Sequence, residues 1–378
     1  MILFIAIFLT LYTFLHSVVF WGIYPLLKGK RSLIISCVSV MFVMMLMPIV
    51  VRLLEKANYH LAPRILAWVA FIWMGAVFIA FSLSVLLILW EIIAAALGFA
   101  MPQAISISLR SKRVSAILLL IAACVCCYGY YEASHIRVEH VKLYSSKFSA
   151  NDKFVVAQVS DMHLGLMRQK GELVDVIEKL EDLQPDILVS TGDMVDAQIN
   201  HLDGMAPVWA SFNPPMGKYA VTGNHEYYAG LDNSIEFMES AGFTMLRGRV
   251  VQVGDKLNIA GIDDPARGEP GEDFMLFNGI DKDRYTVFLK HRPEVDSMAV
   301  GLFDLQLSGH AHKGQVFPFN FLTAMQYPMQ DGLYRLENGS LLYTSRGTGT
   351  WGPPMRILSP PHITVFEIMP VDQGNEKP

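Results

Sequence analysis

Five short segments of this 378-residue chain hold residues able to bind divalent metal, and each follows an apolar run. Val159-Ser160 leads into Asp161-Met162-His163, and Val189-Ser190-Thr191 into Gly192-Asp193-Met194-Val195-Asp196. Val221-Thr222 leads into Gly223-Asn224-His225-Glu226, Leu289-Lys290 into His291-Arg292-Pro293, and Leu307-Ser308 into Gly309-His310-Ala311-His312. Imidazole, carboxylate and an amide oxygen suit manganese, iron or zinc, not calcium or a thiolate site. A pair of ions about 3.5–4 Å apart needs a bridging carboxylate. Asp193 is the candidate for that bridge, because the glycine before it lets the backbone come close to the ions. In extended backbone the two side chains of Asp-x-His or His-x-His face opposite ways, whereas in a loop just past a strand they can converge. Each segment alone is weak: Gly-Asn favours turns, and surface histidine pairs are common. The ordered set, each member after an apolar run, is far from chance.

Strands are expected over Phe154–Val159, Ile187–Ser190, 219–221, 257–262, 286–289 and 305–307, with helices over 171–183 and 234–241, the second ended by Gly242. Strands mixed with helices around one core make an α/β domain, placed at 132–370, with a polar, disordered tail at 371–378. Ahead of it, residues 1–131 form an α-helical transmembrane bundle. Four apolar stretches, 1–27, 33–54, 65–99 and 114–131, lack the polar face of soluble helices, and about 20 apolar residues cross a bilayer core. The first has no basic n-region and is too long for a cleaved signal. The third, with 35 residues, is one span with an interfacial extension or two short spans. Charge favours one crossing. Lys28, Lys30 and Arg31 follow the first stretch and Arg110, Lys112 and Arg113 precede the last, and basic loops stay cytoplasmic. That gives about four spans in a multi-pass cell-membrane protein with the α/β domain outside the cytoplasm. Arg52, Lys56 and Arg64 run against the rule.

Composition agrees with two surroundings. Hydrophobic residues make up 52% and charged residues 17%. Nine basic and two acidic residues precede Tyr131, against 21 basic and 33 acidic from there on. The α/β part is acidic, which argues against nucleic acid as a partner. All four cysteines, Cys37, Cys124, Cys126 and Cys127, lie in the apolar half, where they read as small apolar residues of membrane helices.

The ordered set resembles the calcineurin-like metallophosphoesterase family over about residues 155–366: D-x-H, G-D-x-x-D, G-N-H-E, a lone His, then G-H-x-H. The resemblance implies two β-sheets flanked by helices. It implies one divalent ion held by Asp161, His163, Asp193 and His312, and a second by Asp193, Asn224, His291 and His310, with manganese favoured over iron or zinc. His225 is implied to be catalytic, facing the substrate and stabilising the leaving oxygen. The run Gly-Asn-His-Glu-Tyr-Tyr-Ala-Gly and the segment Arg346-Gly347-Thr348-Gly349 resemble the branch with membrane spans before this domain. That branch is related to bacterial membrane phosphodiesterases and to a UDP-2,3-diacylglucosamine pyrophosphatase. The departure is Pro360-Pro361-His362, where the branch often has Pro-Pro-Glu.

The implied activity is hydrolysis of a phosphodiester, phosphomonoester or pyrophosphate by an acidified water. Arg346 is a candidate substrate-binding clamp on phosphate, with a surface salt bridge as the competing role. Asp196 and Glu226 are expected to partner ligand histidines. The alternative is a catalytically silent metal-binding scaffold at the membrane. A transport role is disfavoured, since only Glu91, His16 and, at the end of its stretch, Arg52 bring charge or imidazole into the apolar stretches. Expected partners are membrane lipids and a phosphoester substrate, lipid-linked or otherwise amphiphilic. Apolar segments at 205–212, 274–277 and 317–327 would either line an acyl groove or pack the core. A UDP-linked acylated sugar fits the branch but is made in the cytoplasm, against the expected sidedness.

Overall fold

The computed structural model describes residues 2–100, 108–150, 152–266, 268 and 272–371. Most of the expected polar tail, 372–378, lies outside the described residues. The chain forms two compact units, one of residues Met1–Tyr131 with Gly352–Met355 and one of the rest.

The first unit consists of helices α1 (Ile2–Leu27), α2 (Arg31–Lys56), α3 (Leu61–Ala100) and α4 (Lys112–Ala133). All four are long and apolar enough to cross a membrane. Many of their large apolar side chains are exposed, as a lipid-facing surface requires. The ambiguous third stretch is one unbroken helix of 40 residues. Glu91, near its end, accepts the backbone N–H groups of Leu109 (2.8 Å) and Arg110 (3.1 Å). His16 is also satisfied locally: Trp73 Nε1 lies 3.0 Å from His16 Nε2, and His16 Nδ1 lies 2.7 Å from the Tyr12 carbonyl. The end of α1 lies beside the start of α4, with Ser115 Oγ donating to Gly22 O at 2.7 Å and the Arg110 guanidinium 4.6 Å from the Trp21 ring centre.

The second unit holds two six-stranded sheets. In chain order its elements are β1 (Arg137–Ser145), β2 (Phe154–Val159), α5 (Lys170–Leu183), β3 (Ile187–Ser190), α6 (Met205–Ser211), β4 (Lys218–Ala220), α7 (Asn224–Ala229), α8 (Leu231–Ser240) and β5 (Thr244–Met245). There follow β6 (Arg249–Val253), β7 (Leu257–Gly261), β8 (Tyr285–Leu289), β9 (Leu305–Ser308), α9 (Asn320–Gln326), β10 (Gly332–Arg335), β11 (Leu341–Thr344) and β12 (His362–Pro370). One sheet runs β1-β12-β2-β3-β4-β5 and the other β10-β11-β9-β8-β7-β6. β2 through β5 are mutually parallel, as are β7, β8, β9 and β11.

Period-two alternation explains the layers. Val156, Ile187 and Val189 face the other sheet and meet Leu257, Val287, Leu289, Leu305 and Leu307 in a shared core. Ala157, Val159 and Leu188 point the other way, onto the helices. The helix α5 presents Leu173, Val176, Ile177 and Leu180, spaced for one face, and buries all four there. Glu172 accepts the Gln169 N–H at 2.9 Å at its start, and Gln184 ends it in a left-handed conformation. Full burial of each such aliphatic chain contributes about 1.5–3 kcal/mol.

The three apolar segments divide. Met205, Trp209 and Phe212 pack the helix-side core, and Phe277 packs against Phe288 and Phe303 behind the second sheet. In the third, Phe317, Phe319, Phe321, Leu322 and Met325 are exposed, while Tyr327 is buried. The helix α9 within it buries none of its residues.

Candidate metal centre

The parallel strands β2, β3, β4, β8 and β9 end at the same edge of the two-sheet core, and each hands its chain to one of the candidate segments. Open α/β sheets place their sites at such carboxyl ends. Sharp turns then aim the side chains inward. Asp161, His163, Asp193, His310 and His312 all have positive φ, between 46° and 67°. This left-handed backbone is why residues two apart in Asp-x-His and His-x-His converge rather than diverge. Such conformations cost a non-glycine residue of order 1–2 kcal/mol, so the surrounding structure must hold them.

The seven candidate ligand side chains fall into two groups. In one, His312 Nε2 lies 3.3 Å from Asp161 Oδ1 and 3.1 Å from His163 Nε2. In the other, His291 Nε2 lies 3.3 Å from Asn224 Oδ1 and 3.1 Å from His310 Nδ1. Asp193 Oδ2 faces both, 4.0 Å from His163 Nε2 and 3.3 Å from His291 Nε2. Asp161, His163 and His312 offer ligand atoms within one ion's reach, as do Asp193, His291 and His310. Ring nitrogens drawn together in pairs, beside carboxylates, in a buried cluster fit divalent metal by donor type.

Surrounding bonds fix which atoms face the cluster. His291 Nδ1 lies 2.8 Å from the Thr191 carbonyl, so its N–H belongs there and Nε2 presents a lone pair. His310 Nε2 lies 3.1 Å from the Tyr327 hydroxyl, which leaves Nδ1 inward. Asp193 Oδ1 accepts the His225 backbone N–H at 2.8 Å, so Oδ2 is the free oxygen. Two glycines are required by close approach. A Cβ at Gly223 would sit 2.1 Å from Asp193 Oδ1, and one at Gly192, where φ is +98°, would sit 2.6 Å from Gly223 N. Asp161 accepts from Ser160 Oγ at 2.5 Å, and Ser160 accepts from Thr191 Oγ1 at 2.7 Å.

Carboxylates and imidazoles crowded in one buried cluster shift one another's protonation. Burial would raise the Asp193 carboxyl, but His291 and His225 hold it well below the ordinary range. Burial pushes His163 down to about 3 and His310 down to about 3. The carboxylates of Asp193 and Asp196 overcome the opposing effect of burial and lift His225 to about 9.

His225 adjoins the cluster, its ring centre 4.5 Å from that of His163, and with His163 and Asp193 it makes a third group whose donor atoms lie within 4.8 Å of one another. Its Nδ1 lies 3.3 Å from Asp196 Oδ1, an ion-pair distance without hydrogen-bond alignment. Asp196 thus partners His225 rather than one of the ligand candidates. Glu226 partners no histidine. Its Oε2 accepts the backbone N–H groups of Gly223 (2.6 Å) and Asp193 (3.0 Å), and its Oε1 that of Val195 (3.1 Å). As the third residue of α7's first turn it caps that helix and ties it to the loop after β3. Burial and the nearby Asp193 raise its carboxyl to about 7.

Arg346 is held away from the cluster, with Nη1 2.7 Å from Asp331 Oδ1 and Nη2 2.5 Å from Glu139 Oε2. The guanidinium that does reach the cluster is that of Arg356, whose Nη2 lies 3.0 Å from His312 Nδ1. It is fully buried and bonds the carbonyls of Arg346, Gly349 and Ser359. Nothing in sequence separates these two arginines of one glycine-rich stretch. Tyr228 and Trp351, whose rings lie 5.3 Å and 6.2 Å from His225, also carry no spacing signal.

Residues 154–314 match the family model for calcineurin-like phosphoesterases. An uncharacterized metallophosphoesterase of Aquifex aeolicus is 37% identical over 256 residues, 66% of this chain and 98% of that protein. An uncharacterized metallophosphoesterase of Bacillus subtilis is 31% identical over 259 residues, 64% of this chain and 89% of that protein. A transmembrane protein with metallophosphoesterase domain from Danio rerio is 32% identical over 275 residues, 67% of this chain and 62% of that protein.

Proposed function

The chain belongs to the calcineurin-like phosphoesterase family, and we propose that it is a membrane-anchored, metal-dependent hydrolase of phosphoesters. The observation that carries this reading is the pair of ligand groups that Asp193 Oδ2 faces, 4.0 Å from His163 Nε2 and 3.3 Å from His291 Nε2. In it Asp161, His163, Asp193 and His312 would hold one divalent ion and Asp193, Asn224, His291 and His310 the other. When bound, the ions would neutralise charge at the phosphoryl group and supply an acidified water as nucleophile. The chain's own residues do the rest. Asp193 keeps the two groups in register because the His225 N–H pins its other oxygen. His225, paired with Asp196 at 3.3 Å, donates to the leaving oxygen as the ester bond breaks. Arg346 serves as an internal brace between Asp331 and Glu139 in this reading.

The domain boundaries we adopt are 1–131 for the membrane part and 132–370 for the hydrolase. Basic clusters at Lys28–Arg31 and Arg110–Arg113 support an extracytoplasmic hydrolase domain, helped by the Ser115–Gly22 contact that sets the two clusters at one end of their helices. The exposed Phe319, Phe321, Leu322 and Met325, on and beside α9, support an amphiphilic substrate, a lipid phosphate or envelope phosphodiester. A soluble substrate gives no reason for such a face.

The deciding experiment assays full-length protein in detergent with manganese against a diester, a monoester and a pyrophosphate, and determines bound metal by elemental analysis. Two ions per chain and turnover of at least one class are expected. A chain that binds two ions and turns over none is the silent scaffold. An acylated phosphoester should be cleaved with higher kcat/KM than its deacylated headgroup, and equal values would remove the amphiphile from the proposal.

A further inference from the structure

Two aromatic residues outside the ligand set flank the residue assigned to the leaving group. Trp351 is 57% exposed and Tyr228 is 54% exposed, large fractions for residues of their size inside a folded domain. Both stand beside His225, with ring centres 6.2 Å and 5.3 Å from its imidazole. His163 takes another position around that ring, 4.5 Å away. His225 therefore has a metal-ligand candidate and two exposed aromatic rings as its neighbours.

Trp351 is exposed in side chain only. Its backbone N–H donates to Gln315 Oε1 at 2.9 Å, and its carbonyl accepts from Gln315 Nε2 at 2.7 Å. Gln315 itself is buried and follows His312 by three residues. The indole is thus carried on a backbone locked to the same loop as a ligand candidate. Tyr228 follows His225 by three residues on α7, so the helix sets its ring over the same turn. A rigid aromatic with its face in water binds ring faces at small entropic cost.

We propose that Trp351 and Tyr228 form a specificity platform that stacks on a flat ring carried by the leaving alcohol of the substrate, next to the oxygen that His225 receives. This rests on the reading of His225 as the leaving-group residue. The substrate class follows: a phosphoester whose leaving alcohol bears a planar ring, as in an aryl-methyl or nucleoside alcohol, which narrows the amphiphile proposed above to one with such a leaving group. Aromatic stacking on exposed side chains is worth about tenfold in affinity, or about 1.4 kcal/mol.

The test separates the platform from catalysis. Benzylphosphonate and propylphosphonate carry the same charged group and cannot be hydrolysed as esters. Their Kd values are measured by calorimetry on manganese-loaded full-length protein in detergent, together with kcat/KM for benzyl phosphate and propyl phosphate, whose leaving alcohols are similarly basic. The benzyl ligand should bind about tenfold tighter. Trp351→Ala should remove most of that ratio while leaving propylphosphonate affinity unchanged, Trp351→Phe should keep part of it, and Tyr228→Ala should lower it further. Equal binding of both ligands by the parent protein overturns the platform, as does a Trp351→Ala loss that is equal for both. Preferential binding without turnover of either ester keeps the platform and removes phosphomonoesters from the hydrolase reading, while failure on the diester and the pyrophosphate as well refutes that reading.

Discussion

Glu226 makes a quantitative test of how the centre is held together. Its two oxygens take three buried backbone N–H groups, Gly223 and Asp193 on one and Val195 on the other. Glu226→Ala leaves all three donors without their acceptor, and each orphaned buried donor costs about 1–3 kcal/mol. The low end of that range gives about 3 kcal/mol, a large part of a domain's net stability. Glu226→Gln is the finer probe. Its single carbonyl oxygen can serve Gly223 and Asp193, while its amide NH2 meets the Val195 N–H and leaves that donor unpaired. Its cost is therefore about 1–3 kcal/mol, about one third of the alanine cost if the bonds are alike. Since Asp193 stays clamped in the glutamine variant, bound metal should survive there and fall in the alanine variant. The assay is thermal unfolding of the full-length protein in detergent, with elemental analysis of each variant; a unit of this size shifts by about 2–4 °C per kcal/mol. Equal destabilisation by Gln and Ala would refute the assignment of two bonds to one oxygen. A glutamine variant more stable than the parent would mean that repulsion between Glu226 and Asp193 outweighs the acceptor geometry.

Other outcomes follow from the same geometry. Asp193→Ala removes the oxygen facing both ligand groups, so elemental analysis should find both ions depleted; two tightly held ions would exclude a bridging role. His225→Ala should retain both ions and lower kcat about 10²–10⁴-fold, and loss of metal in place of rate would make His225 a ligand. His362 is buried, and that burial, with Arg346 and Arg356 beside it, holds its imidazole well below its ordinary value of 6.5. The unfolded chain takes up that proton below pH 6.5 and the folded chain refuses it, so stability should drop as pH falls from there, by up to about 1.4 kcal/mol per unit. His362→Gln should flatten this dependence in unfolding curves taken from pH 7 to 5. For sidedness, Glu181→Cys on the exposed face of α5 should react with an impermeant thiol reagent on intact cells or spheroplasts; labelling only after the inner membrane is broken would reverse the proposed topology. Asn151, another candidate position for that cysteine, lies outside the described residues.

Most of the strands leading to the candidate ligands were legible because they are short, buried, largely apolar runs, such as Ile187–Ser190 and Tyr285–Leu289. The edge strand β1 was not. Arg137–Ser145 alternates charge with modest apolar residues, is mostly exposed, and becomes a strand through its pairing with β12 more than two hundred residues away. Local pattern cannot report such a partner. The first turn of α7 carries little helical signal for a related reason: Gly-Asn favours turns, and the helix start depends on Glu226 accepting the Gly223 N–H. Around the centre, donor types and order pointed to the converging side chains, whereas the groups that orient them did not stand out. Thr191 acts through its main-chain carbonyl, Tyr327 lies seventeen residues from the histidine it touches, and Arg356 contacts His312 across 44 residues.

The left-handed backbone at Asp161, His163, Asp193, His310 and His312 bears on how this centre can drift under mutation. Among residues with a side chain, Asn, Asp and His tolerate that conformation best, and β-branched residues worst. Two filters therefore act at each of these positions, one for donating to a cation and one for fitting the turn. Glycine passes the second and fails the first. Exchanges to Asn or Gly would weaken or erase a ligand with the loop's shape intact, while Val, Ile or Thr would remove ligand and shape together. Descendants that lose metal should thus accumulate Asn and Gly at these five positions, stay folded, and go undetected by any screen that reads only expression.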